Sequence, residues 1–91
     1  MKMFILENCP HCKRAIAWIE ELKKENVSYQ NIQIEMIDEQ VNSELADQYD
    51  YYYVPAIFDG DNKLHEGVAS KEKLKIIFDN FLKKWYIKAP E

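Results

Sequence analysis

Ninety-one residues, 47% of them hydrophobic, supply one hydrophobic core and leave no room for a second. The formal net charge of −4, with both signs interspersed and no block of Lys or Arg, argues against a dedicated nucleic-acid or anionic-membrane surface. Met1-Lys2-Met3-Phe4-Ile5-Leu6 is apolar for too few residues to form a signal-peptide core or a membrane span, so the expectation is a single cytoplasmic domain over residues 1–91.

In chain order, residues 2–6 read as a short buried strand from their continuous apolar character, with Glu7-Asn8 as the loop that follows. Pro10 suits the first position of a helix, where no amide hydrogen is needed. Cys12, Ala15, Ile16, Ile19 and Leu22 then share one face, and this helix should end near Asn26. Val27 and Tyr29, then Ile32, Ile34 and Met36, alternate with polar residues, with a parity change at 29–32. That pattern predicts a second strand around 28–35 carrying a bulge or starting late. Asp38 can cap a second helix in which Val41, Leu45 and Tyr49 recur every four residues.

After the tyrosine-rich stretch 49–53, residues 55–58 and 63–66 flank Asp59-Gly60-Asp61-Asn62, which predicts a β-hairpin. His65 falls on its second strand and is expected to be exposed. Gly67 breaks the run and Ser70 can cap a last helix, whose stripe is Leu74, Ile77, Phe78, Phe81, Leu82 and Trp85. Trp18 and Trp85 read as packing residues, and 86–91 as a frayed tail. The order is β-α-β-α-β-β-α.

Cys9 and Cys12 are the only cysteines, and helical spacing brings such a pair close enough to join and part. In a reducing compartment a bond between them is transient, which points to electron transfer rather than reinforcement. A thiolate is the attacking species. Cys9, just before Pro10, lies at a helix N-terminus, where unpaired amides and the macrodipole favour an anion by roughly 0.3–1 kcal/mol. Cys9 is therefore assigned the attack on a substrate disulfide, and Cys12, one turn inside, the resolution of the mixed disulfide. His11 can tune the couple, because an imidazolium near a thiolate gains about 1–4 kcal/mol that vanishes in the disulfide.

Strand, then C-P-x-C, then Val-Pro before a hairpin, then a Gly-containing turn into a last helix: in this arrangement the chain resembles the glutaredoxins of the thioredoxin superfamily over nearly its whole length. The most specific parts are Cys9-Pro10-His11-Cys12 followed by Lys13, and Val54-Pro55-Ala56-Ile57-Phe58, similar to the family's T-V-P-x-I/V-F. The Pro10-His11 dipeptide is better known from periplasmic thiol oxidases, whose helical insertion does not fit in this length. The resemblance implies an α/β, thioredoxin-like fold with a four-stranded mixed sheet flanked by three helices. It also implies that Pro55 is a cis-proline facing the disulfide and that the Val54 backbone pairs with the substrate's cysteine residue as a short strand.

Three stretches depart from the family pattern. Tyr53 stands where Thr or Ser is usual, with Tyr51 and Tyr52 before it, and offers aromatic surface to a docked protein. Glu7 and Asn8 precede Cys9 where many members carry a Lys for a glutathione carboxylate. Glu66-Gly67-Val68-Ala69-Ser70 stands for the G-G-x-D-D stretch, leaving the Ala69 and Ser70 amides to receive a carboxylate at the last helix's N-terminus. The implied activity is reduction of protein or glutathione mixed disulfides by a monomer with no tightly bound cofactor. Electrons would come from glutathione as co-substrate or from a thioredoxin-reductase-type flavoprotein. The alternatives are a subunit-bridging iron-sulfur cluster on the cysteines and a docking module without turnover. A closed zinc site has too few ligands in Cys9, Cys12, His11 and His65.

Overall fold

The computed structural model describes residues 1–88, with side-chain surroundings through Lys83. Strand β1 (Lys2–Ile5) leads through a short loop into helix α1 (Pro10–Glu25). A 3-10 turn (Val27–Asn31) connects to strand β2 (Glu35–Asp38), and a single helical turn, α2 (Ser43–Ala46), follows. Strands β3 (Ala56–Asp59) and β4 (Asn62–Glu66) form the hairpin, and α3 (Lys71–Lys88) closes the described chain. The sheet order is β2-β1-β3-β4, with β1 and β2 parallel and β1, β3 and β4 successively antiparallel. This is the α/β, thioredoxin-like architecture that the motif order implies.

After Lys2, β1 is apolar at Met3, Phe4 and Ile5 because both faces of the sheet are covered there. Met3 belongs to the face under α1 and α3, with Ala15, Ile19, Leu22, Ile57, Leu74 and Phe78 around it. Phe4 points the other way, into a smaller cluster of Ile37, Ala46, Ala56 and Phe58, with Tyr49 and Tyr51 packed against it. Met3 and Phe4 are both fully buried, each worth about 1.5–3 kcal/mol of transfer free energy. Lys71 ties the start of α3 to the end of α1 through ion pairs with Glu21, at 3.6 Å, and Glu25.

Four expectations need correcting. Residues 28–35 are not the second strand: Val27–Asn31 is a 3-10 turn and the strand begins at Glu35. The parity change has a simple origin, since Tyr29 and Ile32 are both buried three residues apart, the spacing of a 3-10 turn. Asn26 starts that turn, its side chain accepting the Ser28 N–H at 2.9 Å. The second helix is one turn rather than three. Asp38 ends β2 and turns its carboxylate onto Gln40 N–H at 2.8 Å, Val41 is 78% exposed, and only Leu45, Ala46 and Tyr49 reach the core.

His65 is buried, not exposed. It sits opposite Ile57 in the hairpin, and directly opposed residues share a face, here the one that α3 covers. Finally, α3 runs through Lys88, past the position where the tail was expected to begin, while residues 89–91 and the surroundings of Trp85 lie outside what is described. Other expectations match the structure: Gly60 takes φ +60 in the two-residue turn, and Ser70 Oγ accepts the Lys73 N–H at 3.1 Å as the α3 cap. Among the described residues, no helix is long and apolar enough to cross a membrane.

Candidate active site

The sheet brings several chain ends together at one edge. β1 and β2 run parallel and finish there, β3 runs against β1 and starts there, and β4 returns to finish there. The loop after β1 delivers Cys9 and the N-terminus of α1, while residue 55, just ahead of Ala56, is carried beside the end of β1. In this way the helix start and a distant loop are both carried to the end of β1.

Cys9 is the N-cap of α1. Its backbone is extended (φ −92, ψ 111), its carbonyl accepts the Lys13 N–H at 3.1 Å, and its sulfur accepts the Cys12 N–H at 3.1 Å. A sulfur that caps a helix faces the amides no helical carbonyl can reach, so negative charge there is stabilised. Pro10 occupies the first helical position and costs no hydrogen bond. His11 is exposed on the first turn. Cys12 is 1% exposed, and burial pushes its thiol up to about 12. A hydrogen bond with the Cys9 sulfur and the Glu39 charge push in the same direction, while the Leu6 backbone pulls against them. Both cysteines are free thiols. The pair is thus unequal, with an accessible sulfur at the helix end and a protonated one behind it.

The second part of the site is the segment 50–55. The Val54–Pro55 peptide is cis, Pro55 is buried, and Val54 packs on the aromatic cluster. Tyr51 stacks on Phe4 with ring centroids 5.0 Å apart, and its hydroxyl donates to Glu39 at 3.3 Å; burial, then the Glu39 charge, push that phenol up to about 12. Tyr51 is therefore an anchor. Tyr52 and Tyr53 project outward, 85% and 70% exposed. Gly67, at φ +87, donates its N–H to the Pro55 carbonyl at 3.0 Å, joining the turn before α3 to the cis-proline. Ala69 is buried, and Ser70 is exposed with its hydroxyl engaged as the helix cap.

Sequence patterns did not single out Glu39 or Lys63, and reached Glu66 only as the first residue of the stretch before the last helix. Glu66 accepts hydrogen bonds from the Tyr52 and Tyr53 amides, and Lys63 pairs with it. Only their alternation within a hairpin strand could have been read locally, and that does not say which backbone a carboxylate will meet. His65 Nε2 is 2.8 Å from the Gly67 carbonyl, while burial holds the imidazole below its ordinary value. Among the described residues, no three His, Cys, Asp or Glu side chains gather as a metal site.

Comparison with curated proteins and with solved structures gives no match. The glutaredoxin family model matches residues 1–63, a stretch that holds both cysteines, the cis-proline and most of the hairpin. With more than half of its length in that match, and with the sheet order and Cys-x-x-Cys placement described above, this chain belongs to the glutaredoxin family.

Proposed function

We propose that the protein is a thiol-disulfide oxidoreductase that reduces protein disulfides or glutathione mixed disulfides, with Cys9 as nucleophile and Cys12 as resolving thiol. The observation that carries this reading is the unequal pair at the α1 N-terminus: a capping Cys9 sulfur with the Cys12 N–H on it at 3.1 Å, and a buried Cys12 thiol behind it. The Cys9 thiolate attacks one sulfur of a substrate disulfide, forming a mixed disulfide and expelling the other sulfur as a thiolate. Cys12 then gives up its proton and attacks the Cys9 sulfur. The second substrate thiolate leaves, and the electron pair delivered to the substrate is balanced by the new Cys9–Cys12 disulfide.

The high position of the Cys12 thiol fits this order, because a protonated resolving cysteine does not compete for substrate and acts once Cys9 is engaged. Tyr53, Val54 and Pro55 support the docking side: the Val54 backbone pairs with an extended substrate segment, and the exposed Tyr53 ring contacts it. The Ala69 and Ser70 amides at the α3 N-terminus receive a substrate carboxylate. Pro10 fixes the helix start and His11 tunes the couple. One domain working as a cytoplasmic monomer suffices, with no tightly bound cofactor.

Glutathione is the co-substrate that family membership favours, two molecules returning the pair to the dithiol with release of glutathione disulfide. A flavoprotein reductase would supply the same two electrons. The decisive experiment offers each donor separately to the purified protein and follows reduction of a model protein disulfide and of a glutathione mixed disulfide. Turnover with at least one donor, lost on alkylating Cys9, is expected. Absence of turnover with both, or turnover that survives Cys9 alkylation, would refute the assignment.

A further inference from the structure

Residues 50–53 form no regular element, yet three of their backbone groups end on two side chains of β4. Glu66 Oε2 accepts the Tyr52 N–H at 2.5 Å and the Tyr53 N–H at 3.0 Å. Its other oxygen takes Lys63 Nζ at 2.8 Å, and the same ammonium donates to the Asp50 carbonyl at 3.1 Å. Each contact has a charged partner, and such hydrogen bonds are roughly twice as strong as neutral ones. Lys63 first, then the Tyr52 amide, hold the Glu66 carboxyl down at about 2, so the anion persists at any working pH.

The segment gripped in this way is the one that leads into Val54 and the cis-proline. One residue beyond Glu66, Gly67 bonds the Pro55 carbonyl, and a Cβ at Gly67 would stand 3.7 Å from Tyr53 Cβ. Turning the Tyr52 and Tyr53 amides inward onto Glu66 also accompanies the outward exposure of both rings.

We propose that Glu66 is a positioning residue for substrate: by holding the Tyr52 and Tyr53 amides it keeps the Val54 edge in the form that a disulfide-bearing segment pairs with. This rests on the assignment of Tyr53-Val54-Pro55 as the docking strand. A loop that samples other conformations binds more weakly in proportion to its competent fraction, so loss of the grip raises KM. The attacking sulfur belongs to a different element and keeps its reactivity.

The test uses the full chain with Glu66→Ala, Glu66→Gln and Glu66→Asp, and a model protein disulfide as substrate. For Glu66→Ala, KM rises about tenfold while kcat falls less than about twofold, with Glu66→Gln intermediate and Glu66→Asp restoring part of the loss. Hydrogen exchange at the Tyr52 and Tyr53 amides quickens at least about tenfold in Glu66→Ala, and Cys9 alkylation by iodoacetamide proceeds at the wild-type rate. Unchanged exchange, or faster exchange with unchanged KM, overturns the proposal. So does a joint fall in alkylation rate and melting midpoint, which marks a general structural role. Wild-type turnover with indistinguishable variants sinks this inference alone, whereas a wild-type protein that reduces no disulfide with either donor sinks the function assignment and this inference with it.

Discussion

The two parts of the site are built on opposite principles. The thiol pair is local: Cys9 caps the helix that contains Cys12, and four consecutive residues supply the proposed nucleophile, the helix-starting proline, the exposed His11 and the proposed resolving thiol. The segment proposed to dock substrate is long-range, because residues 50–55 rest on the Phe4 and Phe58 rings and are gripped by Lys63, Glu66 and Gly67. Redox chemistry should therefore survive damage to the sheet edge, while substrate recognition should not. On the proposed roles, the difference teaches that potential and specificity can be adjusted separately.

The largest effects should come from the local part. Cys9→Ser is expected to lower turnover at least ~1000-fold, since it removes the only sulfur at the helix end. Cys12→Ser should lose protein-disulfide reduction but keep glutathione-dependent release of mixed disulfides, which can be followed by the release of glutathione from a labelled protein. Substantial protein-disulfide reduction by Cys9→Ser would reverse the roles and erase the contrast between the two regions.

Next in size is the floor of the docking segment. Phe58 is 3% exposed and meets Tyr49 and Phe4 at centroid distances of 4.9 and 5.9 Å. Phe58→Ala should cost about 3–5 kcal/mol in urea unfolding, because it leaves a cavity under Tyr51. If the variant's surviving folded fraction alkylated Cys9 more slowly than wild type, the two regions would not be independent.

The sequence made legible what short-range chemistry fixes. The helix-starting proline after Cys9, the Gly60 turn and the Ser70 cap each act within about four residues, and the structure has all three. What stayed hidden depends on partners far along the chain. Tyr29 is buried because its hydroxyl reaches Asp79 at 2.5 Å and its ring meets Phe78, and no alternation rule for strands contains that fact. Val41 repeats at helical spacing with Leu45 and Tyr49, yet the chain is still in the turn that Asp38 starts, and α2 runs only from Ser43 to Ala46, leaving out both Val41 and Tyr49. His65 and Glu66 are neighbours with opposite fates, one under α3 and one on the loop, decided by the hairpin register and its shift at Ile57/Phe58.

A smaller effect tests the tuning role of His11. On the proposed role, positive charge on His11 favours a Cys9 thiolate and not the disulfide, so His11→Tyr should lower the reduction potential by roughly 20 mV, the equivalent of about 1 kcal/mol for a two-electron couple. Equilibration with a glutathione buffer reads this directly. No shift, or an upward one, would remove His11 from the local part of the site.

The smallest effect concerns acid. Glu66 has a folded-state carboxyl at about 2 against an ordinary 4.5, so it contributes stability that is fully present above pH 4.5 and is lost as pH falls toward 2. His65 also has a lowered value, through burial, so its contribution is lost on acidification too, but from a window that opens below 6.5. Glu66→Gln leaves the His65 contribution intact, so the difference in urea midpoint between wild type and this variant isolates the carboxylate. That difference should be constant from pH 7 to about 5, shrink as pH falls from 4.5 toward 2, and close only as pH falls through 2. A difference that closed between pH 7 and 5 instead would mean that the Glu66 carboxylate takes up its proton well above the range its hydrogen bonds imply, and the grip on the Tyr52 and Tyr53 amides would not rest on its charge.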